Sequence, residues 1–144
     1  MILGTESIEI DCESPFDVII EEGIQITSPN YPNNYDNDLD CQLTINFEPD
    51  QIVSVTFESF DVELEDRCEW DYLAIHDGNS TESPMIGYKL CGKGATGTTI
   101  KSTGNQMTLH FFSDESETRT GFKLTTKAEA KGKRHSKVLK SLRK

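Results

Sequence analysis

Leu43-Thr44-Ile45-Asn46-Phe47-Glu48-Pro49-Asp50-Gln51-Ile52-Val53-Ser54-Val55-Thr56-Phe57 decides the fold class. Before Glu48-Pro49-Asp50, apolar residues fall at every second position: Leu43, Ile45 and Phe47. After it, Val53, Val55 and Phe57 do the same. A period of two sends successive side chains to opposite faces, the signature of a half-buried strand. Glu48-Pro49-Asp50 is a turn cluster between the two runs. Working outward, the pattern recurs at Ile24 and Ile26, at Leu73 and Ile75 after Asp71, at Met107, Leu109 and Phe111, and at Phe122 and Leu124. Turn-rich segments separate the runs: 28–34, Asp77-Gly78-Asn79, Gly92-Lys93-Gly94 and Ser102-Thr103-Gly104-Asn105. No stretch before residue 127 has helical periodicity with caps. Many short strands and frequent turns predict an all-β, two-sheet antiparallel β-sandwich.

The chain has 144 residues, enough for one domain but not for a large multi-domain enzyme. No apolar run approaches the roughly 20 residues of a membrane-spanning helix. Its net charge of -11 is unevenly spread. Residues 1–126 hold 6 basic and 24 acidic side chains, whereas residues 127–144 hold 8 basic side chains and only Glu129. Such an acidic body repels nucleic acid and attracts cations and basic partners. The basic segment has too few apolar residues to offset its chain entropy, so 127–144 is expected to be a disordered tail or linker. There is no internal repeat. Met1 to Glu6 is not a signal peptide, which marks a secreted form of this chain as mature or as part of something longer.

The cysteines are Cys12, Cys41, Cys68 and Cys91, with no CxxC spacing. They suggest two disulfides and an oxidising compartment, and the spacing alone leaves all three pairings open. Asn79-Ser80-Thr81, directly after Asp77-Gly78, is a glycosylation sequon at a turn.

The densest chemistry lies in Phe60-Asp61-Val62-Glu63-Leu64-Glu65-Asp66-Arg67-Cys68-Glu69-Trp70-Asp71. A second acidic loop, Ser113-Asp114-Glu115-Ser116-Glu117, follows the strand ending at Phe112. Carboxylates brought together by the fold repel unless a cation sits among them. Calcium suits such a site because it takes 6–8 oxygens in irregular geometry. Magnesium demands stricter octahedral geometry, and zinc favours histidine or thiolate: these loops have no histidine, and their one cysteine, Cys68, is expected in a disulfide.

A longer set of motifs runs through the chain. Ser28-Pro29-Asn30-Tyr31-Pro32 and Tyr35 come first, then Cys41, then Phe57-x-x-Phe60-Asp61-Val62-Glu63. Cys68-x-x-Asp71-x-Leu73-x-Ile75-x-Asp77-Gly78 follows, then Gly87-x-x-x-Cys91-Gly92, Ser102-Thr103-Gly104-Asn105, Phe112-Ser113-Asp114 and Gly121-Phe122. In order and spacing this resembles a CUB domain from about Cys12 to Thr126. The resemblance implies a jelly-roll-like sandwich, an extracellular location and the disulfides Cys12–Cys41 and Cys68–Cys91. It places residues 1–11 as an N-terminal extension, 12–126 as the domain and 127–144 as the tail. It also implies a Ca2+ site with Glu63, Asp71 and Asp114 as ligands and Tyr35 supporting the glutamate. Ser116 would add a backbone carbonyl. Glu117 falls where family members often have asparagine, and its carboxylate would substitute as a further oxygen ligand. Glu65 and Asp66 would add negative field from outside the ligand set.

Carboxylate oxygens of Glu63, Asp71 and Asp114, together with Tyr35, would face a lysine or arginine of an extracellular partner. The resemblance thus implies a non-catalytic, calcium-dependent binding module within a larger secreted protein, such as a protease with a regulatory arm. The alternative is a calcium-independent structural or carbohydrate-binding module. His76, His110 and His135 fall in no nucleophile or metal motif, so no enzyme is expected. Trp70 is read first as a core residue, with an exposed anchor beside the calcium edge as the alternative. In the tail, Lys131-Gly132-Lys133-Arg134 has the form of a convertase cleavage site after Arg134. The tail's charge would also suit a polyanion, and Val138, Leu139 and Leu142 would suit a short amphipathic turn.

Overall fold

The computed structural model describes residues 6–13, 17–19 and 21–132. Nine strands are formed there: β1 (Ser7–Glu9), β2 (Asp17–Ile19), β3 (Gln25–Thr27), β4 (Asp40–Asn46), β5 (Gln51–Asp61), β6 (Tyr72–His76), β7 (Thr99–Lys101), β8 (Gln106–Phe112) and β9 (Gly121–Ala130). They build one sheet in the order β1-β3-β9-β5-β7 and a second in the order β2-β4-β8-β6. Pairing is antiparallel except at one edge of each sheet, where β1 lies parallel to β3 and β2 parallel to β4. The Glu48-Pro49-Asp50 turn therefore joins β4 in one sheet to β5 in the other.

The alternating residues form the core. Ile26, Leu43, Ile45, Val53, Val55, Phe57, Leu73, Ile75, Met107, Leu109, Phe111, Phe122 and Leu124 are all fully or almost fully buried between the sheets. Each such side chain contributes about 1.5–3 kcal/mol by leaving water. The Phe57-x-x-Phe60 spacing breaks a strict period of two, yet both rings are buried and meet edge to face at 5.3 Å. A bulge between Phe57 and Ser59 resolves the conflict: Glu58 is the extra residue, and beyond it Phe60 and Val62 point inward again. The disulfides join Cys12 to Cys41 and Cys68 to Cys91.

The sandwich is longer than 12–126. Ser7–Glu9 adds a strand, and Ile10 is buried in the core. At the other terminus, β9 runs to Ala130, four residues into the segment expected to be disordered. Lys127, Ala128, Glu129 and Ala130 pair with Ser54, Val53, Ile52 and Gln51 of β5. Backbone pairing with a long neighbouring strand supplies order that low apolar content does not forecast. Lys101 Nζ adds a contact to Glu129 Oε1 at 3.2 Å. Arg134 and the rest of the tail from residue 133 lie outside the described residues.

Candidate metal centre

Strand register brings the acidic segments to one end of the sandwich. β6 begins at Tyr72, opposite Phe112 at the end of β8, so Asp71 and Ser113-Asp114 leave the sheet side by side. In the other sheet, β5 ends at Asp61 opposite Gly121. Glu63, two residues on, reaches the same end. The outcome is a group of three carboxylates: one oxygen each from Glu63, Asp71 and Asp114, all within 4.8 Å of one another. Glu63 is only 4% exposed and Asp71 is 0% exposed.

Tyr35 is the hub beneath them. Its ring is buried edge to face against Phe111 at 5.0 Å. Its hydroxyl donates to Asp71 Oδ2 at 2.7 Å and accepts from the Glu63 N–H at 3.1 Å. Support of Glu63 thus runs through the backbone, and the tyrosine also fixes Asp71, a contact the motif alone does not reveal. The other Asp71 oxygen accepts from the Asp114 N–H at 2.9 Å.

Ser113 and Gly121 are supports that the motif names without a role. Ser113 Oγ accepts from the Leu39 N–H at 2.9 Å and donates to the Asp36 carbonyl at 2.8 Å. The Asp38 N–H reaches the Asp114 carbonyl at 2.8 Å. Loop 36–39 therefore clamps Asp114 in place. Gly121 has φ +85°, and a Cβ there would fall 1.9 Å from Ser28 Oγ and 3.4 Å from the Tyr35 ring. Only glycine lets β9 start this close to the hub.

The remaining acidic residues are placed less centrally. Ser116 donates its N–H to Asp114 Oδ1 at 3.2 Å. Glu117 adopts φ +62° and lies outside the three-carboxylate group, with its carboxylate 3.9 Å from the Arg119 guanidinium. Glu65 and Asp66 are also outside the group, and Glu65 Oε1 accepts from the Glu69 N–H at 2.8 Å. Trp70 is 51% exposed, contrary to the expected core position. The alternation that buries Asp71, Leu73 and Ile75 points Trp70 the other way.

Two like charges at this spacing repel by about 3 kcal/mol at an effective dielectric near 20. Burial, followed by the charges of Asp71 and Asp114, pushes the Glu63 carboxyl up from 4.5 to about 7. Burial also raises Asp71, opposed by the hydrogen bonds from Tyr35 and the Asp114 N–H. Burial and the bond to Asp71 raise the Tyr35 hydroxyl well above its ordinary value, so it stays a donor. Glu63 Oε1 is buried with no hydrogen-bond partner, the one such side-chain oxygen or nitrogen among the described residues. A buried, unpartnered carboxylate oxygen is costly.

The family model described as the CUB domain matches residues 12–126. This chain belongs to the CUB family. Mouse Tolloid-like protein 1 is 37% identical to this CUB domain over 108 residues, which is 75% of this chain and 10% of that protein. The chain thus spans a small part of that curated relative. Among solved structures, the extracellular region of zebrafish Gpr126/Adgrg6 matches 81% of this chain and 15% of its own, with TM-score 0.71 and 34% identity. The second CUB domain of MASP-1 bound to Ca2+ matches 72% of this chain and 89% of its own, with TM-score 0.62 and 32% identity.

Proposed function

We propose that this CUB domain is an extracellular, non-catalytic protein-binding module whose carboxylate end takes up Ca2+ and receives a lysine or arginine of its partner. The orphaned Glu63 Oε1, buried among two other carboxylates, carries the reading. The donors fit the ion: they are hard oxygens, no histidine or thiolate joins them, and they sit on irregular loops. The solved MASP-1 domain with Ca2+, at 32% identity, supports the same choice. Two disulfides and the likeness to the extracellular region of zebrafish Gpr126/Adgrg6 support the compartment.

When bound, Ca2+ supplies the positive charge that lets all three carboxylates stay ionised. The chain's own residues do the rest. Tyr35 and the Asp114 N–H hold Asp71 in one rotamer, and loop 36–39 holds Asp114. Oxygens that still face outward form a preset anionic socket, where a partner's ammonium or guanidinium makes charge-assisted hydrogen bonds. Ser116 and Glu117 are proposed as further oxygen donors from the neighbouring loop.

Retention on a lysine-coupled surface tests this function. Binding is expected in millimolar Ca2+, with release by chelator and by salt. Retention that ignores chelator would contradict the reading and favour the calcium-independent alternative.

A further inference from the structure

The basic segment and the carboxylate end belong to opposite poles of the sandwich. β9 starts at Gly121, opposite Asp61 and close to the Tyr35 ring, and ends at Ala130, opposite Gln51. The Lys131 N–H then bonds the Asp50 carbonyl at 2.7 Å, and Lys131 and Gly132 are exposed. The chain therefore enters 133–144 from the pole away from the carboxylates. In sequence, 133–144 holds six basic side chains and no acidic one, whereas 1–132 holds 8 basic and 25 acidic. Loops 36–38, 63–71 and 114–119, which meet at the carboxylate end, hold ten of those acids against Arg67 and Arg119.

The acids nearer to the basic segment compete weakly for it. Asp77 accepts from Thr103, and Glu129 pairs with Lys101 at 3.2 Å. Glu48 and Asp50 are exposed, and ion pairs between exposed side chains add little. Only the carboxylate end carries a second signal beside its charge, the unpartnered Oε1 of Glu63, a side chain 4% exposed. Reach then separates the chain's own carboxylate end from that of another copy. The ten residues of β9 span about 30 Å. Lys133 and Arg134 stand three and four residues beyond Ala130, a stretch of about 10–14 Å when fully extended. Both fall short of their own carboxylate end even with their side chains, and Lys137 reaches it only as a straight strand. All six can meet the carboxylate end of a second copy.

We infer that residues 133–144 of one copy dock on the carboxylate end of a second copy, which makes this chain its own basic partner. The contact is head to tail, joining two different surfaces, so it repeats from copy to copy and builds open chains. Two acidic bodies repel each other without the basic segment, and complementary charge both steers the encounter and fixes which surfaces meet. This inference rests on the proposed function, because the same Ca2+-loaded carboxylates receive the lysine or arginine. It adds where that side chain comes from.

Sedimentation of the full chain in millimolar Ca2+ at low salt tests it, alongside two full-length variants. One has Lys133, Arg134, Lys137, Lys140, Arg143 and Lys144 all changed to glutamine; the other is Asp114→Ala. The parent is expected to gain weight-average mass with concentration and to lose that gain in chelator. Each variant alone should associate about tenfold more weakly or less. Mixed one to one, the two variants should form a dimer, because one supplies an intact carboxylate end and the other an intact basic segment. Equal thermal midpoints in chelator show that the glutamine variant is folded, and the mixed dimer itself shows that both are competent. A parent that stays monomeric at millimolar chain yet is retained on a lysine-coupled surface would overturn this inference and leave the function standing. Association of Asp114→Ala alone at the parent's strength, or a mixture that stays monomeric, would overturn it as well. A parent neither associating nor retained on the lysine surface would overturn the function and this inference together.

Discussion

The two ends of the sandwich solve the problem of buried polarity in opposite ways. At the end where β6 stops and β8 starts, polar groups are paired within the chain. Ser102 Oγ accepts from the Val53 N–H and donates to the Gly104 carbonyl, at 2.8 and 2.7 Å. His76 Nδ1 meets the Ser83 carbonyl at 2.8 Å, and Thr108 Oγ1 donates to the Gly78 carbonyl at 2.9 Å. The Asp77 carboxylate accepts the N–H and hydroxyl of Thr103 at 2.9 and 2.8 Å. At the other end, three carboxylates converge, one buried oxygen has no partner, and among the described residues none of the three is in an ion pair. One end is complete by itself. The other keeps a buried carboxylate oxygen without a partner, which under the proposed function a bound cation would satisfy.

Removing a carboxylate from the incomplete end gives the largest expected effect. Asp114→Ala should abolish stabilisation by Ca2+, which for a native-state ligand at a hundred times Kd is about 2.7 kcal/mol. Thermal unfolding with and without Ca2+ reads this directly. The next effect has the opposite sign. Glu63→Gln removes a buried, unpaired charge, so in chelator the variant should be more stable than the parent by about 1–3 kcal/mol at neutral pH.

The same charge gives the metal-free parent a pH dependence. Glu63 binds its proton more tightly in the folded state, with a pKa near 7 against 4.5. Its contribution is therefore fully favourable below the lower value and is lost as pH rises through the upper one. Chelated parent should lose stability over that window, and Glu63→Gln should not. Denaturant unfolding at a series of pH values checks this.

The complete end should respond weakly. Asp77→Ala is expected to cost about 1 kcal/mol through the lost Thr103 contacts, with the Ca2+ gain intact. Smallest of all is a glycan at Asn79, an exposed residue just beyond β6 at this complete end. Material secreted from animal cells should lose mass on glycosidase treatment, with the Ca2+ gain unchanged within about 0.5 kcal/mol.

Where the sequence was readable depends on how each residue is constrained. Strands such as Leu43–Phe47 and Met107–Phe111 announce themselves because apolar and polar residues alternate, even though Thr44 and Thr108 on the polar face are buried against each other. β1, β2 and β7 have only three residues each, too short for a period to show. The last residues of β9 are ordered by backbone pairing to β5 and carry no apolar pattern. Trp70 misleads by its chemistry, although the alternation of Asp71, Leu73 and Ile75 already assigns it to the outer face. The family motif marks the three converging carboxylates and Tyr35. That Tyr35 also holds Asp71, and that Glu117 turns toward Arg119, depends on loop geometry that no spacing encodes.

Under the proposed function, the carboxylate end needs a divalent cation to be at rest. Calorimetric titration of the intact chain with Ca2+ at neutral pH, paired with thermal unfolding in Ca2+ and in chelator, tests it most directly. Saturable binding near one ion per chain and a higher midpoint, reversed by chelator, is the predicted result. No heat and an unmoved midpoint at millimolar Ca2+ would contradict it.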